Sequence, residues 1–268
     1  MEILGYVLAV LIGVSLGLIG GGGSILTVPL LVYIFGIPPL IAVSYSLFIV
    51  GITSMLGAIH NFLKGQARLS LALPLGIVSP ATVFFVRRYV VPHIPERLWV
   101  WGDIVVTKSV LTMILFAILM LSSAFSMLKK SNTLSLDKTA IRSFKDYFQL
   151  TVFGIGIGCV TGFLGAGGGF LIIPALVLLL HLPMKEAVGT SLFIIAINSL
   201  VGFSGDLGHY EMNWTFLFGV TLIACVGIVI GTQLARKMSA AKLKKGFGWF
   251  VLVMGGYIIV QELLLLWD

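Results

Sequence analysis

Ten stretches of this chain are apolar for 12 to about 25 residues at a time, at 3–19, 24–35, 40–62, 69–90, 104–128, 147–164, 170–181, 187–204, 213–235 and 247–267. At 1.5 Å of rise per residue, a run near 20 residues crosses about 30 Å of hydrocarbon as a helix. The runs lack the alternation of a porin strand, so helices rather than a barrel are expected. A soluble fold is excluded by arithmetic. Charged residues make up 10% of the chain and hydrophobic ones 59%, too few charges to cover the surface of a 268-residue globule. Disorder is excluded by the same two figures. The fold class expected is an all-α polytopic membrane protein.

The net charge of +7 does not indicate a nucleic-acid partner, because the basic residues sit in short clusters between apolar runs, as membrane-flanking charge does. Cys159 and Cys225 each lie inside an apolar run and read as small core residues rather than a disulfide. The chain opens Met1-Glu2 with no basic n-region, which argues against a cleaved signal peptide.

The chain repeats itself. With a shift of 145 residues, Gly17-Leu-Ile-Gly-Gly-Gly-Gly23 falls on Gly162-Phe-Leu-Gly-Ala-Gly-Gly168, and the register then holds without a gap. Pro29 meets Pro174, Pro38 meets Pro183, Ser46-Leu-Phe-Ile49 meets Ser191-Leu-Phe-Ile194, and Ser54 and Gly57 meet Ser199 and Gly202. The expected organisation is therefore a membrane repeat over 1–128, a polar basic linker over 129–146 and a second repeat over 147–268. Each repeat carries a glycine-broken or re-entrant helix, because 24–35 and 170–181 are too short to span and each follows a glycine run. Five segments per half would invert the second repeat relative to the first, and four would make them parallel. Each arrangement leaves one basic loop on the side the positive-inside rule disfavours, and the inverted one is preferred. The stretch Pro92 to Trp101 is expected to lie along the membrane interface as an aromatic anchor.

The candidate site follows from the breaks. Irregular backbone at membrane depth is tolerated only where it is buried in protein or lines a wet cavity. Amide groups freed at such a break, unshielded by side chains, can approach a small anion closely. Gly20, Gly21, Gly22, Gly23 and Ser24 in the first run, and Gly165, Ala166, Gly167, Gly168 and Gly169 in the second, are the backbone candidates. Ser44, Ser46, Thr190, Ser191 and Asn198, in the segments that follow, are candidates for donating hydrogen bonds to anion oxygens. Lys108, one turn inside 104–128, is the candidate positive charge. His60, Asp206 and His209 are candidates for coupling to protons, since ionisable groups in membrane segments default to functional hypotheses. All of these lie near segment ends, where snorkelling to the interface is the competing explanation. No catalytic set, metal motif or nucleotide-binding domain is present in the sequence, so no cofactor is expected and any driving force has to be a gradient.

The doubled motif Gly17-Leu-Ile-Gly-Gly-Gly-Gly-Ser-Ile-Leu-Thr-Val-Pro29 and Gly162-Phe-Leu-Gly-Ala-Gly-Gly-Gly-Phe-Leu-Ile-Ile-Pro174, each followed by a Pro, an Ala-Val pair and a Ser-Leu-Phe, resembles the TauE/SafE family of permeases. The resemblance covers nearly the whole chain. It implies a secondary transporter of a small sulfur-containing anion such as sulfite or an organosulfonate, coupled to a proton or other ion gradient. The expected setting is multi-pass in a prokaryotic inner (plasma) membrane, with the lipid bilayer, the anion and a second copy of the chain as candidate partners. An anion channel on the same scaffold, and a non-transporting scaffold or enzyme subunit, are the rival readings.

Overall fold

The computed structural model describes residues 2–65, 67–101, 104–128, 144–165, 167–178, 182–235 and 240–265. Most of the linker, 129–143, lies outside the described residues, as do Ala166, residues 236–239 of the last basic loop and the final three residues. Helix α1 (Glu2–Ile19) runs into a 3-10 stretch (Gly20–Leu26) and then α2 (Thr27–Tyr33). After these come α3 (Pro39–Leu63), α4 (Leu69–Phe85), a π-helical stretch (Val86–Val90) and the single turn α5 (Val91–His93). Strands β1 (Arg97–Trp101) and β2 (Ile104–Thr107) precede α6 (Lys108–Leu128). The second half comprises α7 (Phe144–Leu164), α8 (Gly169–Leu178), α9 (Met184–Asp206), α10 (Trp214–Ala235) and α11 (Ala240–Leu265).

Every apolar run therefore falls on a helix, and both 12-residue runs form short helices entered from a glycine break. The aromatic stretch ending at Trp101 pairs antiparallel with β2, Trp99 opposite Val106 and Trp101 opposite Ile104. One local reading is corrected: because 104–107 is strand, Lys108 is the first residue of α6 rather than one turn inside a helix.

Among the described residues, four helices are long and apolar enough to cross a bilayer: Pro39–Leu63, Lys108–Phe125, Glu186–Asp206 and Trp214–Leu234. The outward faces are apolar too. Leu222, Val253, Phe125 and Ile77 are each more than 60% exposed, the reverse of a water-facing surface. The innermost pair is α3 and α9, two-thirds buried over their apolar windows, against 39% for α6 and α10. Proline opens each of the two: Pro38 and Pro183 are their N-caps, with ψ near 140°. Small residues let them touch. A Cβ added at Gly51 would stand 2.8 Å from Leu200, at Gly57 2.9 Å from Ile228 and 3.1 Å from Leu192, and at Gly202 within 3.3 Å of Leu47. Residue numbers rise along α3 as they fall along α9, so the two helices cross antiparallel.

Around that crossing the same contacts occur twice. Helix α1 packs on α10, and α7 on α4. Gly13 and Gly17 of α1 meet Ala224, Gly227, Ile228 and Gly231, while Gly158 and Gly162 of α7 meet Ser79, Thr82, Val83 and Val86. The amide of Arg68, at the N-cap of α4, donates to Thr190 Oγ1 at 3.0 Å, and the amide of Asn213, just before α10, donates to the Tyr45 hydroxyl at 2.6 Å. In each case the partners of one contact stand 145 residues from those of the other. Helices α6 and α11 pack on each other outside this core.

Candidate functional site

Each glycine break is wedged against the opposite half's central helix. Gly20 has φ +70°, and a Cβ there would stand 2.7 Å from Val188 of α9. Gly165 has φ +65°, and its Cβ would stand 2.4 Å from Cγ1 and 2.7 Å from the carbonyl oxygen of Val43 on α3. Only glycine accepts such a backbone at such a distance. The two breaks meet through packing of α8 on the 3-10 stretch Gly20–Leu26. Their conformations differ. Gly20 to Gly23 and Ser24 stay wound in 3-10 turns, whereas the second run opens into a turn at Gly167 and Gly168, both with positive φ, and Gly169 starts α8. Ala166 lies outside the described residues.

The hydroxyl candidates divide by what they touch. The Ser46 hydroxyl donates to the Gly165 carbonyl at 2.9 Å and fastens α3 to the second break. Thr190 accepts the Arg68 amide, and Ser191 bonds back to Val188 at 2.9 Å within its own helix. Asn198 donates from Nδ2 to Ser79 on α4 at 2.8 Å and leaves its Oδ1 buried without a partner. Further buried oxygens are unpartnered: the hydroxyls of Thr27, Ser54, Thr161 and Ser199. Three of them adjoin the breaks. Thr27 begins α2 directly after the first. A Cβ on Gly167 would be 2.9 Å from Ser199 Oγ, and one on Gly168 2.3 Å from Thr161 Oγ1. Ser54 and Ser199 are the 145-residue counterparts, one on each crossing helix. Leaving a buried hydroxyl unsatisfied costs about 1–3 kcal/mol, and Thr27, Thr161 and Ser199 adjoin the two breaks. Sequence reasoning passed over all of these except Asn198, although the repeat itself had aligned Ser54 with Ser199.

Asp206 is not a snorkelling end residue. It is 1% exposed and forms a buried ion pair with Arg87, which is also 1% exposed. Arg87 Nε donates to Asp206 Oδ1 at 2.7 Å and its Nη2 to Oδ2. The same Nη2 donates to the Ser44 hydroxyl at 2.6 Å, and that hydroxyl donates to Asp206 Oδ2 at 2.5 Å. Nη1 reaches the carbonyl oxygen of Gly162 at 3.4 Å, three residues before the second break. Arg87 lies near the end of the apolar run 69–90 and is not among the candidates read from sequence. It continues the buried stripe of Ser79 and Val83 at helical spacing, whereas Arg88, one position on, stays exposed, bonded to the Leu207 carbonyl and to His209; the π-helical stretch Val86–Val90 begins beside it. Such π stretches recur at functional sites.

The remaining candidates stand apart. His60 is exposed beside Lys64, and His209 is exposed beside Arg88. Lys108 is buried with its ammonium on the carbonyl oxygens of Val91 and Ile94, so it ties the hairpin segment to the start of α6. A second carboxylate missed from sequence is Glu262 of α11. It is 4% exposed and accepts a 2.9 Å hydrogen bond from Tyr33 at the end of α2. Cys159 and Cys225 are unpaired and half-buried. No group of three or more His, Cys, Asp or Glu among the described residues could hold a metal ion.

An apolar exterior, spanning helices and two broken helices meeting at a buried polar cluster define a multi-pass helical membrane protein of the transporter class. The chain belongs to the sulfite exporter TauE/SafE family, whose pattern matches residues 6–258. It is 30% identical over 252 residues to a "Probable membrane transporter protein" of Xylella fastidiosa strain Temecula1, covering 93% of this chain and 91% of that one. It is 27% identical to a probable membrane transporter protein of Methanocaldococcus jannaschii, covering 94% and 95%. A third relative, from Bacillus subtilis, is 25% identical over 87% of this chain and 90% of its own length. No solved structure matches this chain. Membership makes the chain a membrane transporter rather than an enzyme.

Proposed function

We propose that the protein is a secondary transporter of a small sulfur-containing anion, sulfite or an organosulfonate, in a prokaryotic plasma membrane. The anion sits between the two glycine breaks, held by freed amides and by the hydroxyls of Thr27, Ser54, Thr161 and Ser199. Residues 1–128 and 147–268 act as inverted halves that rock about the α3–α9 crossing to expose the site to each side in turn. The observation that carries this reading is the doubled break. Each run is wedged on the other half's central helix, beside buried oxygens that have no partner within the protein. The antiparallel crossing of the two equivalent helices supports inversion. The family supports the choice of a sulfur oxyanion. The unequal state of the breaks, one wound and one open, suits a carrier caught on one side of its cycle better than a channel.

The test is flux in proteoliposomes across sulfite, thiosulfate, sulfate, sulfoacetate and taurine. Saturable uptake of at least one of them, driven uphill by an imposed ion gradient, is expected. Purely downhill, non-saturating flux would establish the channel, and no movement of any of the five would overturn the reading.

A further inference from the structure

We propose that Arg87 is the residue that takes an oxyanion's charge, and that Asp206 occupies it in the empty protein, so that one proton enters with each monovalent anion. The inference rests on the transporter reading above and names the coupling and the charge class of its cargo.

The arrangement around Arg87 is that of an occupied oxyanion site. Two oxygens on one carbon face the guanidinium from Nε and Nη2, the fork geometry that also fits two oxygens on one sulfur. The Ser44 hydroxyl completes the cradle by donating to one of those oxygens. The oxygens belong to Asp206, whose side chain is 2% exposed while that of Arg87 is fully buried. The cradle adjoins the proposed path: Nη1 faces the Gly162 carbonyl at the end of α7, three residues before the open break, whose Gly165 carbonyl accepts from Ser46 of the same helix as Ser44.

Charge then dictates the order of events. With Asp206 ionised the pair is neutral, and a second anion at Arg87 would leave one uncompensated negative charge in a buried site, which is strongly unfavourable. If a proton from the aqueous side binds the Asp206 carboxylate, its hold on Arg87 weakens and a monovalent anion replaces it. The charge sum of the site is unchanged, with one proton and one anion added. A dianion leaves a net negative charge in the same place. Among the described residues, the other titratable groups around the pair are Lys108, which interacts electrostatically with Arg87, Tyr210, which interacts with both members, Glu96, which interacts with Lys108 and Tyr210, and Arg88 and His209, which bond to each other at the surface. Lys108 is held on the Val91 and Ile94 carbonyls, and α3 and α7 present a hydroxyl and a backbone carbonyl to the pair, which do not titrate here.

The experiment uses proteoliposomes of the full chain with methanesulfonate and sulfate, whose charges stay fixed between about pH 5 and pH 8. For the wild type, about one proton is expected to enter per methanesulfonate, read by a trapped pH dye. Its apparent affinity should weaken as pH rises, by up to about tenfold per pH unit. Sulfate should move at least about tenfold more slowly. Asp206→Asn should exchange methanesulfonate with no proton uptake and a flat pH profile. Arg87→Gln, and the charge-neutral double variant Arg87→Gln/Asp206→Asn, should lose at least about tenfold in uptake. Methanesulfonate entering the wild type without a proton, a pH profile retained in Asp206→Asn, wild-type uptake in Arg87→Gln, or sulfate outrunning methanesulfonate would each overturn the inference alone. Should Asp206→Asn fail to insert, the proton count of the wild type decides. A wild type that moves neither probe nor any of the five anions named above overturns the transporter reading and this inference together.

Discussion

The interface of α1 with α10 and that of α7 with α4 are built on one plan and finished differently. On α1 and α7 the same glycines, Gly13 and Gly17 or Gly158 and Gly162, make the contact. On the opposing helix, α10 answers with Gly227 and Gly231, so that backbone meets backbone and a Cβ at Gly227 or Gly231 would stand 2.3 Å from a carbonyl oxygen of α1. Helix α4 answers with Thr82 and Val86, so that side chains meet the α7 glycines beside a single close backbone approach, 2.7 Å from a Cβ at Gly158 to the Ser79 carbonyl oxygen, and it then departs from α-helical winding at Val86. The looser interface is the one that admits a buried charge. Arg87 has Thr232 as its counterpart 145 residues on, and Asp206 has Asn61 145 residues back, whose side-chain amide donates to the Gly57 carbonyl in its own helix. What the two interfaces share is what packing requires. What only one of them has is the ion pair, and that is where a function not shared by the two halves would reside.

The strongest way to break the comparison is to remove the charge and its counterpart in turn. Arg87→Ala leaves Asp206 buried and unpaired and should cost about 3–5 kcal/mol, whereas Thr232→Ala, whose hydroxyl bonds only to Val229 in its own helix, should stay within about 0.5 kcal/mol. Denaturation in detergent micelles reads both, and similar losses would mean the two interfaces are energetically alike. The breaks come next. Gly165→Val should cost about 2–4 kcal/mol, from its positive φ and the Val43 backbone, and should lower flux by at least about tenfold. Gly20→Val meets only the Val188 side chain, which can shift, and should lose about 1 kcal/mol less. A larger loss at Gly20 would place the tighter break in the first half.

Smaller effects test the shared plan. Tyr45→Phe and Thr190→Val each remove the acceptor of one end tether and should each lower stability by about 1 kcal/mol, since each strands one amide. A twofold or greater disparity in the two melting shifts would show that the tethers are not equivalent. The smallest change in flux is expected from Lys108→Met. Its ammonium is engaged by backbone carbonyls, so uptake should remain within about twofold of wild type while stability falls by about 1–2 kcal/mol. A tenfold loss of uptake would instead give Lys108 a direct part in charge compensation.

The segment plan was legible because apolar run length and glycine punctuation act locally: 24–35 and 170–181 were too short to span, and they fold as short helices after breaks. The hairpin was legible too but was passed over. Leu98-Trp-Val-Trp101 and Ile104-Val-Val-Thr107 flank Gly102-Asp103, a two-residue turn signal between β-branched and aromatic runs. The fates of Arg87 and Arg88 were not legible. Adjacent arginines at the end of an apolar run look like membrane-flanking charge, and which of the two faces the core depends on how far the helix and its buried stripe continue, which tertiary packing decides. The unpartnered hydroxyls were hidden for a different reason. Sequence tells which residues carry hydroxyls, but whether Ser54 or Ser191 finds a carbonyl within its own helix is decided by packing.

The two end tethers, Arg68 to Thr190 and Asn213 to Tyr45, are of one kind and sit at opposite ends of the α3–α9 pair. In a two-conformer balance they cancel, since whichever end opens gives up one and keeps the other. The Arg87–Asp206 pair has no such counterweight. A contribution of about 3 kcal/mol held in only one of the two conformers would populate it more than about a hundredfold over the other. A resting transporter of this design would wait almost entirely on one side of the membrane, and its cargo would have to supply that difference before the first turnover.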